Sequence, residues 1–318
     1  MTNFSLNSLY RFLGLTKQAV FDYQKRQKVF DLELSELIEQ VDLIREEHPG
    51  CGVEKMYDTL LPNIMGRDKF CEIFMSLGYR VRRVRNYHRT TIPTHIKYPN
   101  LIEGMQVTQP FQVIQSDITY YDLHGKFYYI VFIIDVYTRE ILSHCTSNNM
   151  RKEANIKALQ EAIKKMKYNE WGCIHHSDRG AQYASNKYLK LLTDNKIHAS
   201  MGLIAQDNAY AERVNGTIKN EYLKKWKIDN EQQLKNKIYK AVEQYNKKRK
   251  HNAYKNKYSP LEFKDTLLSL ETQERPKVII YAEGNCEIKE ASSLLNFNPR
   301  KEPEAHNCPI VINNVLCT

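Results

Sequence analysis

Three acidic residues, each in its own short polar motif, are the side chains of this sequence best suited to chemistry. Asp117 lies in Gln-Ser-Asp-Ile-Thr-Tyr, Asp178 in His-Ser-Asp-Arg-Gly-Ala-Gln-Tyr, and Glu212 in Asp-Asn-Ala-Tyr-Ala-Glu-Arg-Val-Asn-Gly. Sixty residues separate the first two acids and 33 separate the last two. Three carboxylates brought to one point can hold two divalent cations. Two such ions about 3.5–4 Å apart stabilise the attacking and leaving oxygens of a phosphoryl displacement, so the pattern indicates phosphodiester chemistry.

Length and composition restrict the class of protein. The chain of 318 residues is long enough for two or three domains. A hydrophobic content of 42% with 11% aromatics indicates a packed core rather than intrinsic disorder. Neither a run of about 18 apolar residues nor a signal peptide is apparent, so we expect a cytoplasmic protein with no membrane partner. The seven cysteines form no Cys-x-x-Cys pair, and neither a disulfide framework nor a zinc site is predicted.

Positive charge is concentrated in one part of the chain. The net charge is +10, and residues 213–257 hold 14 Lys or Arg against 4 Asp or Glu. A positive block of this density suggests a polyanionic partner such as DNA. A solvated basic helix is the alternative that charge alone leaves open.

The first 30 residues are predicted to form a small helical hairpin. Gly14 breaks the first helix, and Thr16 can cap the second. The pattern is typical of a helix-turn-helix in which Lys17 and Gln18 face a DNA groove. A plain antiparallel helix pair is the alternative.

Residues 31–90 are predicted to form a helical, helix-turn-helix-like DNA-binding region. A long amphipathic helix ends at His48-Pro49-Gly50, and two shorter helices follow near 53–61 and 67–77. Four arginines interleaved with Val and Tyr then form an arm suited to phosphate contacts: Arg80, Arg82, Arg83 and Arg85. Residues 91–108 contain several prolines and are predicted to be an extended linker.

Residues 109–265 have the element order of an α/β domain. Tyr128–Val136 is apolar on both faces, as in a central buried strand. The predicted elements are strands at 111–121, 128–136 and 140–146, a helix up to 166, a strand at 173–176, a helix at 185–194, a strand at 197–200 and a helix from about 208. We therefore expect a mixed five-stranded sheet with flanking helices. The tail, residues 266–318, carries no motif that we can interpret.

Asp117 falls in the middle of the first predicted strand. A carboxylate on an apolar sheet is costly unless it is compensated, so a metal ligand is the favoured interpretation over a turn cap. Asp178 precedes Arg-Gly and would by itself be interpreted as a turn residue. Its spacing from Asp117 favours a metal ligand instead. Asp135 closes a buried strand, and we interpret it as structural.

Glu212 shares a predicted helix face with other polar residues. It follows Asn208 by four residues and precedes Lys219 by seven, which is helical spacing. We expect Glu212 to complete the metal site and Lys219 to point at DNA beside the scissile phosphate, with Asn208 and Asn215 also facing DNA. A solvated amphipathic face is the alternative.

A second polar cluster closes the basic helix predicted at about 231–250. Its members are Tyr245, Asn246, Arg249 and His251. We expect them to contact DNA phosphates, with a solvated face as the alternative.

Several motifs in order resemble a known family. They are His-Ser-Asp-x-Gly-x-Gln-Tyr at 176–183, Asp-Asn-Ala-x-x-Glu at 207–212 followed by Lys219, and Tyr-Asn-x-x-Arg-x-His at 245–251 with Ser-Pro-x-x-Phe at 259–263. Together they resemble the second open reading frame product of IS3-family insertion sequences, IS150-like members included. The element order resembles the ribonuclease H-like fold of retroviral integrases and DDE transposases. The spacing of the last two acids is shorter than is usual in the family, and the shortening falls in a loop that tolerates deletion.

This resemblance implies a DDE transposase that uses Mg²⁺, or Mn²⁺ as a substitute, with two ions per active site. It implies cleavage at the 3′ ends of an insertion sequence and transfer of the freed 3′-OH to DNA. The implied partners are terminal inverted repeats, target DNA and further copies of the chain on DNA, with a nucleoid-associated location. Family members often act as a frameshift fusion with an upstream protein. The alternatives are therefore a non-enzymatic DNA-binding regulator that needs this upstream partner, and a hydrolytic nuclease of the same fold.

Overall fold

The N-terminal region is helical. The computed structural model describes residues 6–81, 98–149, 152–166, 172–202, 205–280 and 289–290. The first four helices are α1 (Leu6–Phe12), α2 (Lys17–Glu47), α3 (Val53–Leu60) and α4 (Arg67–Ser76). Thr16 begins α2 as predicted, because its Oγ1 accepts a hydrogen bond of 3.1 Å from the Ala19 N–H.

The second helix of the predicted hairpin and the predicted long helix are one element. α2 runs for 31 residues, since no glycine or proline interrupts it before Pro49. Its C-terminal half packs Leu37 and Val41 against Met56, Phe70 and Phe74 of α3 and α4. By contrast α1 has no buried residue. The helix pair at the N-terminus therefore lacks the packed core of the predicted helix-turn-helix.

A mixed five-stranded sheet lies at the centre of the chain. The first six strands are β1 (Met105–Val107), β2 (Val113–Leu123), β3 (Lys126–Asp135), β4 (Ile141–Ser147), β5 (Cys173–Ser177) and β6 (Ile197–Met201). The order in the sheet is β4-β3-β2-β5-β6. β3 runs antiparallel to β2 and β4, and β5 runs parallel to β2 and β6. His124 and Gly125 form the tight turn between β2 and β3 with φ of 52° and 82°, as a two-residue hairpin turn requires.

Helices cover both faces of this sheet. They are α5 (Lys152–Lys165), α6 (Asn186–Asp194), α7 (Ala209–Thr217), α8 (Glu231–Lys247) and α9 (Pro260–Thr266). α5 and α6 pack on one face, and α7 and α8 pack on the other. α7 continues directly into a π-helical segment, Ile218–Leu223. This arrangement confirms the predicted ribonuclease H-like fold. No helix in the described part of the chain is long and apolar enough to cross a membrane.

A small second sheet corrects the predicted linker. β1 lies within residues 91–108 and pairs antiparallel with β7 (Val278–Ile279) and parallel with β8 (Lys289–Glu290). Met105 and Val107 are fully buried and pack with Phe263. Residues 105–107 are therefore part of a core. Leu267 and Ile280 of the tail, a segment without an interpretable motif, belong to the same core.

The N-terminal helices dock on the π-helical segment. A buried hydrogen bond of 2.7 Å joins His48 Nδ1 to the Tyr222 hydroxyl. Gly50 lies so close to this segment that a Cβ atom added there would lie 2.3 Å from the Cα of Glu221. Asn256 Nδ2 adds a hydrogen bond of 2.6 Å to Asp58 of α3. The helical region is thereby fixed to the domain that holds the acidic residues.

Candidate active site

The register of two parallel strands brings two of the predicted acids together. β2 and β5 are paired up to Ser116 and Ser177, which are opposite one another. Asp117 and Asp178 are the next residues on the two chains. The two acids therefore lie beside one another where the strands separate, and the charge of Asp178 acts on the Asp117 carboxyl.

Two amide side chains fix the helix that carries the third acid. Gln115 is buried; its Nε2 donates to the Asp207 carbonyl at 2.9 Å, and its Oε1 accepts from the Ala211 N–H at 3.2 Å. Farther along α7, Asn215 Nδ2 donates to Asp117 Oδ2 at 2.7 Å. Glu212 lies between these two attachments and is therefore held beside Asp117.

The surroundings of Asp117 disfavour its negative charge. Burial raises the pKa of Asp117 to about 8, and the charges of Asp178 and Glu212 contribute in the same direction. Hydrogen bonds from the Ile118 N–H and from Asn215 oppose this shift. The pKa of Glu212 is also raised, by burial first and then by Asp178. The three carboxylates thus interact electrostatically, and a bound cation would offset the repulsion.

The chemistry of these donors fits a hard divalent cation. Carboxylate oxygens are the ligands that Mg²⁺ prefers. The Gly180 N–H donates to Asp178 Oδ1 at 3.0 Å and orients that carboxylate. In the part of the chain that the structure describes, however, no three His, Cys, Asp or Glu side chains are close enough to enclose one ion. The three carboxylates are therefore near one another without enclosing a single ion.

Asp135, the rival acid on β3, has a structural role. Its carboxylate accepts hydrogen bonds from the Phe111 N–H and from both the N–H and the hydroxyl of Thr138, at 2.6–3.0 Å. It is fully buried and supports the turn between β3 and β4. The sequence-based interpretation of Asp135 agrees with this environment.

Lys219 makes a contact with β2 that the sequence did not indicate. Its Nζ is 3.8 Å from the ring centre of Tyr120, which follows Asp117 by three residues on β2. A cation over an aromatic face is attracted to the ring quadrupole. Burial lowers the pKa of Lys219, and the nearby charge of Lys224 lowers it further. Residues three apart on a strand point to opposite faces of the sheet, so Tyr120 and Asp117 leave β2 on different faces.

Five polar residues predicted to contact DNA are instead buried in the protein: Asn208, Asn215, Tyr245, Asn246 and Arg249. Asn208 donates to the Ser116 carbonyl at 3.1 Å, and Asn215 holds Asp117. Asn246 accepts from the Ile141 N–H and donates to the Ile141 carbonyl, both at 2.9 Å. Buried amides need such partners, so the DNA-contact prediction is corrected for these residues.

Arg249 and Tyr245 are buried for related reasons. The Arg249 guanidinium makes two hydrogen bonds, of 2.7 and 2.8 Å, to the Glu221 carboxylate. Tyr245 is 1% exposed and belongs to the apolar cluster between the sheet and α8. The sequence analysis missed Glu221. A lone acid inside a strongly basic stretch is the signal for such an ion pair.

The remaining predicted DNA contacts stay predictions. Lys17 and Gln18 are exposed at the start of α2, Arg80 is exposed after α4, and His251 is half-buried after α8. Arg82, Arg83 and Arg85 of the predicted arm lie outside the described residues.

Comparison with known proteins identifies the class of protein to which the chain belongs. Residues 107–205 and 194–258 match two family models, each described as an integrase core domain. An uncharacterized 31 kDa protein of insertion element IS600 from Shigella sonnei is 32% identical over 222 residues, which cover 67% of this chain and 81% of that protein. The transposase of IS629 from the same organism is 34% identical over 212 residues, covering 64% and 70% of the two chains. The putative transposase of IS150 from Escherichia coli K12 is 28% identical over 178 residues, covering 55% and 62%.

An integrase core on a ribonuclease H-like sheet defines an enzyme of the polynucleotidyl transferase class, which acts on DNA. The chain belongs to the transposases of bacterial insertion sequences that carry a DDE integrase-like core. The predicted resemblance to IS150-like members of the IS3 family is confirmed.

Proposed function

We propose that this chain cleaves the 3′ ends of an insertion sequence and joins them to DNA in a Mg²⁺-dependent reaction. Asp117, Asp178 and Glu212 are the proposed metal ligands and catalytic carboxylates. The observation that carries the proposal is the strand register at Ser116 and Ser177, which places Asp117 and Asp178 side by side. The attachment of α7 through Gln115 and Asn215, which holds Glu212 there, supports it further.

Each residue of the site has a distinct task in this proposal. Two divalent cations, when bound, stabilise charge on the attacking and leaving oxygens of the phosphodiester. The three carboxylates supply hard oxygen ligands for them, and Asn215 holds Asp117 in orientation through Oδ2. Lys219, whose Nζ lies over the ring of Tyr120, is proposed to contact a phosphate beside the scissile bond. Water attacks the phosphodiester at the element end and breaks its P–O3′ bond, which leaves a 3′-OH on the element and a 5′-phosphate on the flanking strand. That 3′-OH then attacks a phosphodiester of the second DNA and displaces the 3′-oxygen of the strand it joins, which leaves as a hydroxyl.

Mg²⁺ is the proposed ion, with Mn²⁺ as a functional substitute. Carboxylate oxygens suit these hard cations, whereas zinc sites usually contain thiolate or imidazole ligands. EDTA should therefore abolish activity, and a zinc-specific chelator should leave it intact. Activity that resists EDTA but disappears with the zinc chelator would overturn this part of the proposal.

The proposed partners follow from the reaction. Terminal inverted repeats and target DNA are the substrates, and a homo-oligomer is expected because two element ends must be joined together. Dependence on an upstream protein, supplied separately or as a frameshift fusion, is tested by adding that protein to the assay.

Substitution of the three carboxylates tests the proposal directly. Asp117→Asn, Asp178→Asn and Glu212→Gln should each abolish cleavage and joining of a labelled element end to a target plasmid, while binding of the same end is retained. Asp265→Asn, which alters an exposed carboxylate on α9, is the matched control. Full activity in any of the three variants would remove that residue from the site. Cleavage without joining by the wild type would instead identify a hydrolytic nuclease.

A further inference from the structure

A basic cleft lies beside the candidate active site, at the seam between the N-terminal helices and the catalytic domain. Its volume is about 750 Å³. The basic side chains that line it, which define the basic cleft, are Lys55, Arg139, Arg213, Lys224, Lys225 and Arg249. Gly216 and Thr217 are small residues that also line the cleft. The cleft is therefore open to a ligand that carries several negative charges.

The positive charge of the cleft is largely uncompensated. The Glu221 carboxylate also lines it, but this acid is already paired with Arg249. Among the described residues, no ion pair within 4.0 Å joins Lys55, Arg139 or Arg213 to a carboxylate. The same holds for Lys225. Most basic side chains in folded proteins lie on dispersed solvated surfaces, whereas these converge on one concave wall.

Arg139 shows the strain that often accompanies a binding role. Its backbone has φ of 56°, in the left-handed region that a non-glycine residue seldom adopts. The guanidinium lies 4.0 Å from the ring centre of Tyr210, and its Nη1 is buried without a hydrogen-bond partner in the protein. A buried guanidinium nitrogen that lacks an acceptor is suited to an anionic oxygen from a ligand.

The pKa of the neighbouring His251 is also affected by the positive charges of the cleft. Burial lowers the pKa of His251 to about 3, and the charges of Arg249, Arg139, Lys55 and Arg213 contribute in the same direction. All of these charged groups line the cleft with it. A second proton on the imidazole is therefore disfavoured, in keeping with a strongly positive local potential.

The cleft and the carboxylates share one helix. Arg213 follows Glu212 directly, so its side chain points about 100° farther round α7. Thr217 and Asn220 continue the same side of the helix and also line the cleft. A second, smaller cleft of about 410 Å³ adjoins the basic cleft. Val81 and Lys225 line both clefts, and Arg80 lines the smaller one. The positive surface therefore runs from the side of Glu212 to the point at which the predicted arginine arm begins.

We propose that the basic cleft binds the sugar-phosphate backbone of the duplex whose end is placed at Asp117, Asp178 and Glu212. The proposal rests on the proposed function, because it takes the ligand of the cleft to be the DNA substrate of that site. The N-terminal helices supply Lys55 and Arg80, and the catalytic domain supplies Arg139, Arg213 and Lys225. A duplex in the cleft would thus contact both parts of the protein at once.

The test is the salt dependence of DNA binding, measured without divalent cations so that no catalysis is needed. Arg213→Ala combined with Lys225→Ala removes two exposed charges of the cleft. Lys187→Ala combined with Lys190→Ala removes two exposed charges of α6 and is the matched control. The slope of log Kd against log salt should fall by about 1.8 for the cleft pair, since each lost phosphate contact contributes about 0.9. The control pair should leave the slope unchanged.

An unchanged slope in the cleft variant, or an equal fall in the control, would overturn the proposal. Arg139→Lys is the second variant, because it keeps the charge but loses the planar guanidinium beside Tyr210. It should leave the slope unchanged and weaken binding of the labelled duplex several-fold; unchanged affinity would remove Arg139 from the site. These outcomes do not depend on the activity of the carboxylate variants, so failure of the cleft proposal and failure of the proposed function are distinguished.

Discussion

At the scale of single residues, the candidate site holds the Asp117 carboxyl in surroundings that disfavour its negative charge. Asp117 is surrounded by Asp178, Glu212 and the apolar sheet, and two hydrogen bonds, from the Ile118 N–H and from Asn215, offset the cost. A buried carboxylate with other carboxylates close by reduces stability, and such groups cluster at functional sites. Replacement of Asp117 should therefore change how the stability of the folded protein depends on pH.

Asp117→Asn should stabilise the protein at alkaline pH in the presence of EDTA. In the folded chain the Asp117 carboxyl keeps its proton up to a pKa of about 8, whereas in the unfolded chain it loses it near about 3.9. The folded state therefore binds the extra proton between these values, and wild-type stability falls as the pH rises through this window. The advantage of the variant should be small at pH 4 and should grow toward pH 9 in thermal unfolding. Asp265→Asn should show no such trend, and an equal trend in both variants would contradict the assignment.

Lys219→Ala should reduce joining much more than DNA binding. The side chain is held over Tyr120 and, in the proposed function, contacts a phosphate beside the scissile bond, so its loss should misplace the terminal phosphates. Misplacement of about 1 Å can cost on the order of 10²-fold in rate. The joining rate and the Kd for the element end should be measured for this variant and for Lys227→Ala, which alters an exposed lysine beyond the π-helical segment. Equal, small effects on joining would show that Lys219 does not position DNA.

At the scale of elements, one helix connects the candidate site to the N-terminal region. α7 carries Glu212 and Asn215, and the π-helical segment that continues it carries Lys219, Glu221 and Tyr222. π-helical turns are rare and are frequently found at functional sites. Here the altered turn directs Glu221 to Arg249 and Tyr222 to His48. A change at the docking surface can therefore alter the position of the helix that holds Glu212.

Gly50→Ala tests this connection. A Cβ at residue 50 would lie 2.3 Å from the Cα of Glu221, and backbone atoms cannot move aside cheaply. Overpacking of this kind costs about 1–3 kcal/mol, and the helical region should separate from the domain before that domain unfolds. Limited proteolysis and thermal unfolding should detect the separation. Gly52→Ala is the control, since a Cβ there meets no atom within 4 Å. Equal behaviour of the two variants would mean that the docking is not tight.

Local signals in the sequence were sufficient for most elements. Alternation predicted β2, the apolar run predicted β3, and Thr16 marked the start of α2. Distant pairings were not accessible in this way. β1 has three residues and pairs with β7 more than 150 residues away, so no local pattern could identify it. Asn246 likewise bonds Ile141 at a separation of 105 residues, and a polar residue near the end of a basic helix gives no sign that it faces inward.

At the scale of the whole molecule, the positive charge of the chain opposes the negative charge of the three carboxylates. Three carboxylates would repel a phosphodiester, yet the chain has a net charge of +10, much of it in the segment that follows Glu212. The three acids of the proposed site could be selected from the sequence because they lie in recognisable motifs. The basic cleft could not, because Lys55, Arg139 and Arg213 are far apart in the sequence and meet through folding alone. In the proposed function, cations at the carboxylates complete this balance of charge.

Divalent cations should therefore stabilise the folded protein through the carboxylates. A ligand that binds the folded state alone adds about 2.7 kcal/mol of stability at a concentration 100 times its Kd. Mg²⁺ should raise the melting temperature of the wild type by several degrees. The rise should disappear in Asp117→Asn combined with Asp178→Asn, because the two adjacent ligands have lost their charge. Asp265→Asn should keep the full rise. A Mg²⁺-dependent increase of the same size in the double variant would place the stabilising ion elsewhere and would separate metal binding from the strand ends at Ser116 and Ser177.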